Sequence, residues 1–117
     1  VQTCALPIYC SLSSNNILNP FTPFGDGSLT RIANLYANTV QRGTSDELAE
    51  CFEMLTRNSA RLMRLKDYGV AVGKPADLAV WDVDSPGDAV ATAAHPLYGF
   101  KRGRRTFTRA RPELHRP

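Results

Sequence analysis

The sequence predicts an α/β chain that runs strand, long loop, three helices and a small β-unit. Three observations carry this reading. Apolar residues recur at helical spacing from Leu29 to Leu65. The pattern then changes to a near-continuous apolar run at Leu78, Val80 and Trp81. Turn residues Gly69, Gly73 and Pro75 separate the two regimes. With 117 residues, 43% hydrophobic and 21% charged, the composition suits one globular unit.

The elements follow in order. Tyr9–Ser13 (YCSLS) reads as a short buried strand, and Ser14 to Gly27 as a loop rich in Asn, Pro and Gly. Loops this long in a compact domain often carry function. Leu29, Ile32, Ala33, Tyr36 and Val40 mark one face of a helix that Asp26 or Ser28 caps and Gly43 ends. Thr44 to Glu47 (TSDE) spells a capping box, and Leu48, Cys51, Phe52 and Leu55 form the buried stripe behind it. Asn58 is expected to cap a third, short helix with Ala60, Met63 and Leu65 inward. These stripes are read as core. DLAVWDV is a strand, SPGDAVATAA a short surface helix or loop, and LYGFKRGRRTFTR a hairpin turning at Arg102-Gly103.

No apolar run reaches the ~20 residues that a bilayer requires. The three cysteines, Cys4, Cys10 and Cys51, form no CxxC pattern, so reduced thiols and a cytoplasmic location are expected. The net charge of +3 is uneven: residues 101–117 carry +6 and the rest −3. This basic tail is read as a solvated, partly strand-forming surface, with a polyanion partner as the alternative. The tail lacks the aromatic and basic alternation of common RNA modules, so nucleic acid ranks last among partners.

The first eight residues, VQTCALPI, have no basic n-region and are not a signal peptide. They match the translation of GTT CAG ACG TGT GCT CTT CCG ATC, the end of a common sequencing adapter. They are read as an artefact, which makes the chain a fragment. The other reading is a genuine short strand.

The segment Asn58 to Asp82, NSARLMRLKDYGVAVGKPADLAVWD, resembles the C-terminal signature of the amidohydrolase superfamily, through Ala60, Leu65, Gly69, Gly73, Ala76, Asp77, Leu78 and Asp82. SSNNILNPFTPFGDGSL resembles the last barrel strand and following loop of cytosine deaminase-like members, and GFKRGRR their closing hairpin. The resemblance covers Tyr9 to Thr108. It implies the last strand and terminal helices of a TIM-type (β/α)8 barrel, with part of a C-terminal β-sandwich. Residues 9–66 would be the end of the barrel, 67–108 part of the composite sandwich, and 109–117 a basic tail. In such barrels catalytic groups sit at the C-terminal ends of strands.

The function it implies is metal-dependent hydrolysis of a C–N bond, the deamination of a cytosine-like heterocycle by a full-length, homo-oligomeric enzyme. The metal would be a divalent ion, Zn or Fe. The family's metal-binding and proton-transfer aspartate falls on Asn15. A substrate-lining residue falls on Asn16, and the ring that packs on a pyrimidine falls on Phe21. The chain has no HxH. His95 and His115 are read as surface or structural residues, since neither has a second ligand at metal spacing. The fragment alone is expected to be inactive.

Asn15 is the departure that matters, because an amide cannot accept a proton at neutral pH. Three readings follow. The full-length enzyme uses another base or altered metal chemistry; it binds a ligand without turnover; or Asp26 is the working acid. The last is disfavoured because a helix cap explains Asp26. Taken without the resemblance, Asn15-Asn16 would read as an Asx-turn closing a strand. Phe21 and Phe24 could equally anchor the loop.

Overall fold

A computed structural model describes residues 9–113 and 115. The adapter reading of residues 1–8 lies outside them. Four helices and one three-stranded sheet follow in chain order: α1 (Leu29–Thr39), α2 (Ser45–Leu55), α3 (Arg57–Leu62), β1 (Leu78–Val80), α4 (Pro86–Ala91), β2 (Tyr98–Lys101) and β3 (Arg104–Thr108). Among the described residues no helix is long and apolar enough to cross a membrane.

Both expected caps of α1 are used. The Ser28 hydroxyl accepts from the Arg31 amide at 3.3 Å, while the Asp26 carboxylate accepts from the Ser28 amide at 3.0 Å and pairs with the Arg31 guanidinium. The capping box of α2 forms as written: the Thr44 hydroxyl takes the Glu47 amide, and the Glu47 carboxylate takes the amides of Gly43 and Thr44 at 3.0 Å.

The core is made of small residues. Ala33, Ala37, Cys51 and Val90 are buried, with Leu12, Tyr36, Leu48, Phe52 and Leu55 packed against them. The buried face of α1 is Thr30, Ala33 and Ala37, rotated from the expected stripe, and Leu29 is exposed. The reason is α4. Expected as a surface element, it instead packs against α1 and α2 and buries Gly87, Ala89 and Val90. Small side chains let the three helices approach. Side chains of α1 satisfy carbonyls at and just beyond the end of α4: Asn34 Nδ2 donates to Val90 O (2.9 Å) and Ala91 O (3.1 Å), and Thr30 Oγ1 to Ala94 O (2.7 Å).

Three helices close on left-handed residues other than glycine. α1 ends at Thr39, not at Gly43, in a Schellman motif: Arg42 N–H bonds Ala37 O at 2.9 Å and Gln41 N–H bonds Asn38 O at 3.4 Å. α3 and α4 close alike, through Leu65 to Ala60 and Ala94 to Ala89, both at 2.9 Å. The left-handed C′ residues are Gln41 (φ 57°), Arg64 (φ 55°) and Ala93 (φ 48°), none of them glycine. A Cβ disfavours this region, so Ala93→Gly is expected to stabilise the fold by ~0.5–1 kcal/mol. A rise in the urea midpoint at unchanged slope checks it.

Two apolar expectations fail for want of a neighbour. Tyr9–Ser13 is not a strand: Tyr9 is 46% exposed, and the segment's described main-chain bond to the rest is Leu12 N–H to Met54 O at 3.3 Å. A strand gains its ladder from partners, and none lies beside it among the described residues. Met63 and Leu65, expected inward, are exposed, and only Ala60 of that stripe is buried. Asn58 lies inside α3, whose N-cap is Thr56 without a side-chain bond.

The sheet is antiparallel in the order β1-β2-β3, pairing Leu78 with Phe100, Val80 with Tyr98, and Lys101 with Arg104. Arg102 (φ 49°) and Gly103 (φ 75°) make the expected two-residue turn, both in the left-handed region that matches strand twist. Phe52 of α2 meets Trp81, just past β1, edge to face at 5.7 Å, which ties helices to sheet.

Asp77 pins the hairpin: its carboxylate pairs with Lys101 Nζ and accepts the Arg102 amide at 2.7 Å. The Lys101 ammonium first, and then that amide, hold its carboxyl below the ordinary 3.8. A lowered folded pKa gives stability that is present above the unfolded value and lost as pH falls through the folded one. Acidification below about pH 4 is therefore expected to loosen the hairpin, and Asp77→Asn to flatten that dependence. Amide exchange of Arg102 against pH is the measurement.

Candidate functional site

The loop before α1 is a structured device. Asn15 opens it at φ 60°, a left-handed conformation that Asn tolerates better than most residues, and its amide donates to Ser13 Oγ at 3.3 Å. Its side chain is exposed and makes no hydrogen bond among the described residues.

The Asx chemistry sits at Asn19 and not at Asn15-Asn16. Asn19 and Thr22 exchange both main-chain hydrogen bonds at 3.1 Å, closing a turn with Pro20 and Phe21 at its tip. Asn19 Oδ1 accepts from the amides of Phe21 and Thr22, both at 3.0 Å. Asn19 Nδ2 donates to Asn16 Oδ1 at 2.9 Å. Leu18 (φ 49°) and Gly25 (φ 111°) bend the loop, and a Cβ on Gly25 would meet Ile17 Cγ2 at 3.0 Å. Phe21 is 88% exposed and Phe24 71%, so neither anchors the loop.

Asp26 is committed to the start of α1. The Ser28 amide above all, with Arg31 and His95 adding to it, holds its carboxyl below the ordinary range. His95 Nε2 lies 3.9 Å from that carboxylate, beside a cavity of about 420 Å³ between helices and sheet. Trp81 also lines this cavity, its buried Nε1 making no hydrogen bond among the described residues. His115 is exposed.

The structure thus ties Asn16, through Asn19, to the turn that carries Phe21, leaves Asn15 unlinked to that turn, and places His95 with Asp26. Sequence reasoning missed Asn19. The signal was present in the Asn19-Pro20 pair, a turn initiator. Among the described residues no three His, Cys, Asp or Glu side chains converge, and Asn15 offers only a neutral amide oxygen.

Residues 6–107 match the family described as Amidohydrolase family. The chain belongs to the amidohydrolase family.

Three relatives illustrate the range. The chain is 34% identical over 93 residues to N-isopropylammelide isopropyl amidohydrolase of Pseudomonas sp. (strain ADP), covering 79% of this chain and 23% of that protein. It is 44% identical over 55 residues to imidazolonepropionase of Maricaulis maris (strain MCS10), covering 44% of this chain and 14% of that protein. It superposes on 5-methylcytosine deaminase from Klebsiella pneumoniae, liganded with 5-fluorocytosine, with a TM-score of 0.78 and 31% identity. That match covers 87% of this chain and 25% of the deaminase. The chain thus spans about a quarter or less of the length of the relatives it matches. The structural neighbours are TIM-barrel amidohydrolases, and this small sheet with its helices is consistent with a portion of one. The family is generally metal-dependent.

Proposed function

We propose that the full-length protein hydrolyses a carbon–nitrogen bond of a small heterocycle by deaminating a cytosine-like ring, and that residues 14–27 form one wall of its active site. One observation carries the reading: the loop holds an exposed aromatic ring, Phe21, on a hydrogen-bonded turn tied to Asn16, with the Asn15 side chain exposed and unbonded among the described residues. The likeness to a deaminase liganded with a pyrimidine supports it.

In this reading Asn16 and Phe21 bind substrate, and Asn15 stands at the metal-ligand and proton-transfer position. A divalent metal, Zn or Fe, is held mainly by residues outside this chain. Residues 9–66 complete the barrel, 67–108 the sandwich, and the whole enzyme is a homo-oligomer.

The neutral amide of Asn15 favours a second reading, a relative that binds such a ring without turnover. Ammonia release from cytosine, 5-methylcytosine and ammelide by the full-length protein tests both. Turnover of a ring amine is expected, and tight binding without ammonia would select the second. The 117-residue chain alone is expected to release none.

A further inference from the structure

We propose that Asn19 is a positioning residue that fixes which end of the Asn16 amide faces the active site, so that Asn16 presents a hydrogen-bond donor and selects a substrate edge bearing an acceptor. The inference rests on the active-site reading of this loop.

The argument is one of forced polarity. An Asn amide has an oxygen that only accepts and a nitrogen that only donates. Backbone N–H groups only donate, so the Asn19 atom that meets the Phe21 and Thr22 amides must be its oxygen. Its other end is then the nitrogen, a donor. That donor meets Asn16 at 2.9 Å, so the Asn16 atom facing it must be the oxygen. Asn16 Nδ2 is left facing away, bonded to no protein atom among the described residues. Two immovable main-chain groups thus set the polarity of a side chain three residues earlier.

The same turn fixes Phe21. The Asn19–Thr22 pair and the two amides on Asn19 Oδ1 give four hydrogen bonds around a ring that packs on almost nothing. Rigidity spent on an exposed aromatic residue suits a face awaiting a planar partner. A donor beside it fits a ring carbonyl oxygen or an unprotonated ring nitrogen.

Asn19→Asp inverts the relay without touching Asn16. The carboxylate still accepts both backbone amides, but its second oxygen can no longer donate. Asn16 must turn its Nδ2 inward and present its oxygen outward. Asn16→Asp presents an acceptor directly and keeps the Asn19 bond.

In the full-length protein, steady-state kinetics with cytosine should show KM raised roughly ten- to a hundredfold in both variants, with kcat within about threefold. Asn19→Ser, whose hydroxyl both donates and accepts, should recover part of the loss. Selective ¹⁵N-Asn labelling reads the relay without substrate. The protected side-chain amide should belong to Asn19 in the parent and to Asn16 in Asn19→Asp, with Phe21 and Thr22 amides still protected.

Unchanged KM in Asn19→Asp overturns the proposal, and so does an amide signal that fails to move. If the signal moves but no heterocycle is turned over by the parent, the deaminase reading falls, and the relay stands as the polarity device of a binding site.

Discussion

Asn15→Asp is expected to raise kcat of the full-length protein on its ring-amine substrate by roughly 10²–10⁴-fold, the usual worth of a placed general base. The substitution loses nothing, because the Asn15 side chain is exposed and unbonded among the described residues. The backbone accepts it too, since at φ 60° Asp is, with Asn, among the residues that tolerate the left-handed region. What it adds is an anion and a proton acceptor where the amide had neither. The pH profile carries a second signature: the variant should gain an acidic limb from the new carboxylate that the parent lacks. If the parent is a silent binder, the same change should create turnover. A fall in rate would show that Asn15 does not occupy the proton-transfer position.

Gly87→Val is expected to cost ~1–3 kcal/mol, the range for overpacking a closed core. A Cβ on Gly87 would lie 3.1 Å from the Ser45 carbonyl oxygen, 3.5 Å from Leu48 Cβ and 3.6 Å from the Ala49 amide nitrogen. Two of those three atoms are main chain and cannot swing away. A valine adds two methyls beyond that Cβ, and the first turns of α2 and α4 must part to admit them. For a chain of this size the melting temperature should fall by ~4–20 °C. Gly87→Ala separates the causes: better helix propensity offsets one tight contact, so it should lie near the parent. Equal losses for alanine and valine would mean that the side chain finds room by another route.

These two sites show where sequence was informative and where it was silent. TSDE spelled its capping box because every partner lies within four residues. Arg102-Gly103 spelled its turn for the same reason, and Asp26 and Ser28 their cap. α4 could not be read so. Six residues give too little periodicity, and its burial depends on α1 and α2, far away in sequence. Tyr9–Ser13 was misread in the opposite direction, since an apolar run shows the need for a ladder and not its presence. At the loop, the proposed roles of Asn15, Asn16 and Phe21 came from a pattern of residues, whereas the hydrogen bonds made by Asn19 came only with coordinates. The end of α1 misled because Gln41, not Gly43, takes the left-handed closing position that glycine usually fills, as Arg64 and Ala93 do after α3 and α4.

Cys51 gives this small core a built-in reporter. Its thiol is fully enclosed where α1, α2 and α4 meet, and burial pushes it above its ordinary 9.0. An alkylating reagent reaches it only when those helices separate, so the modification rate at steady reagent counts openings. Followed at Cys51 itself, that rate times how often the helical cluster breathes, in the absence of denaturant and without an added probe.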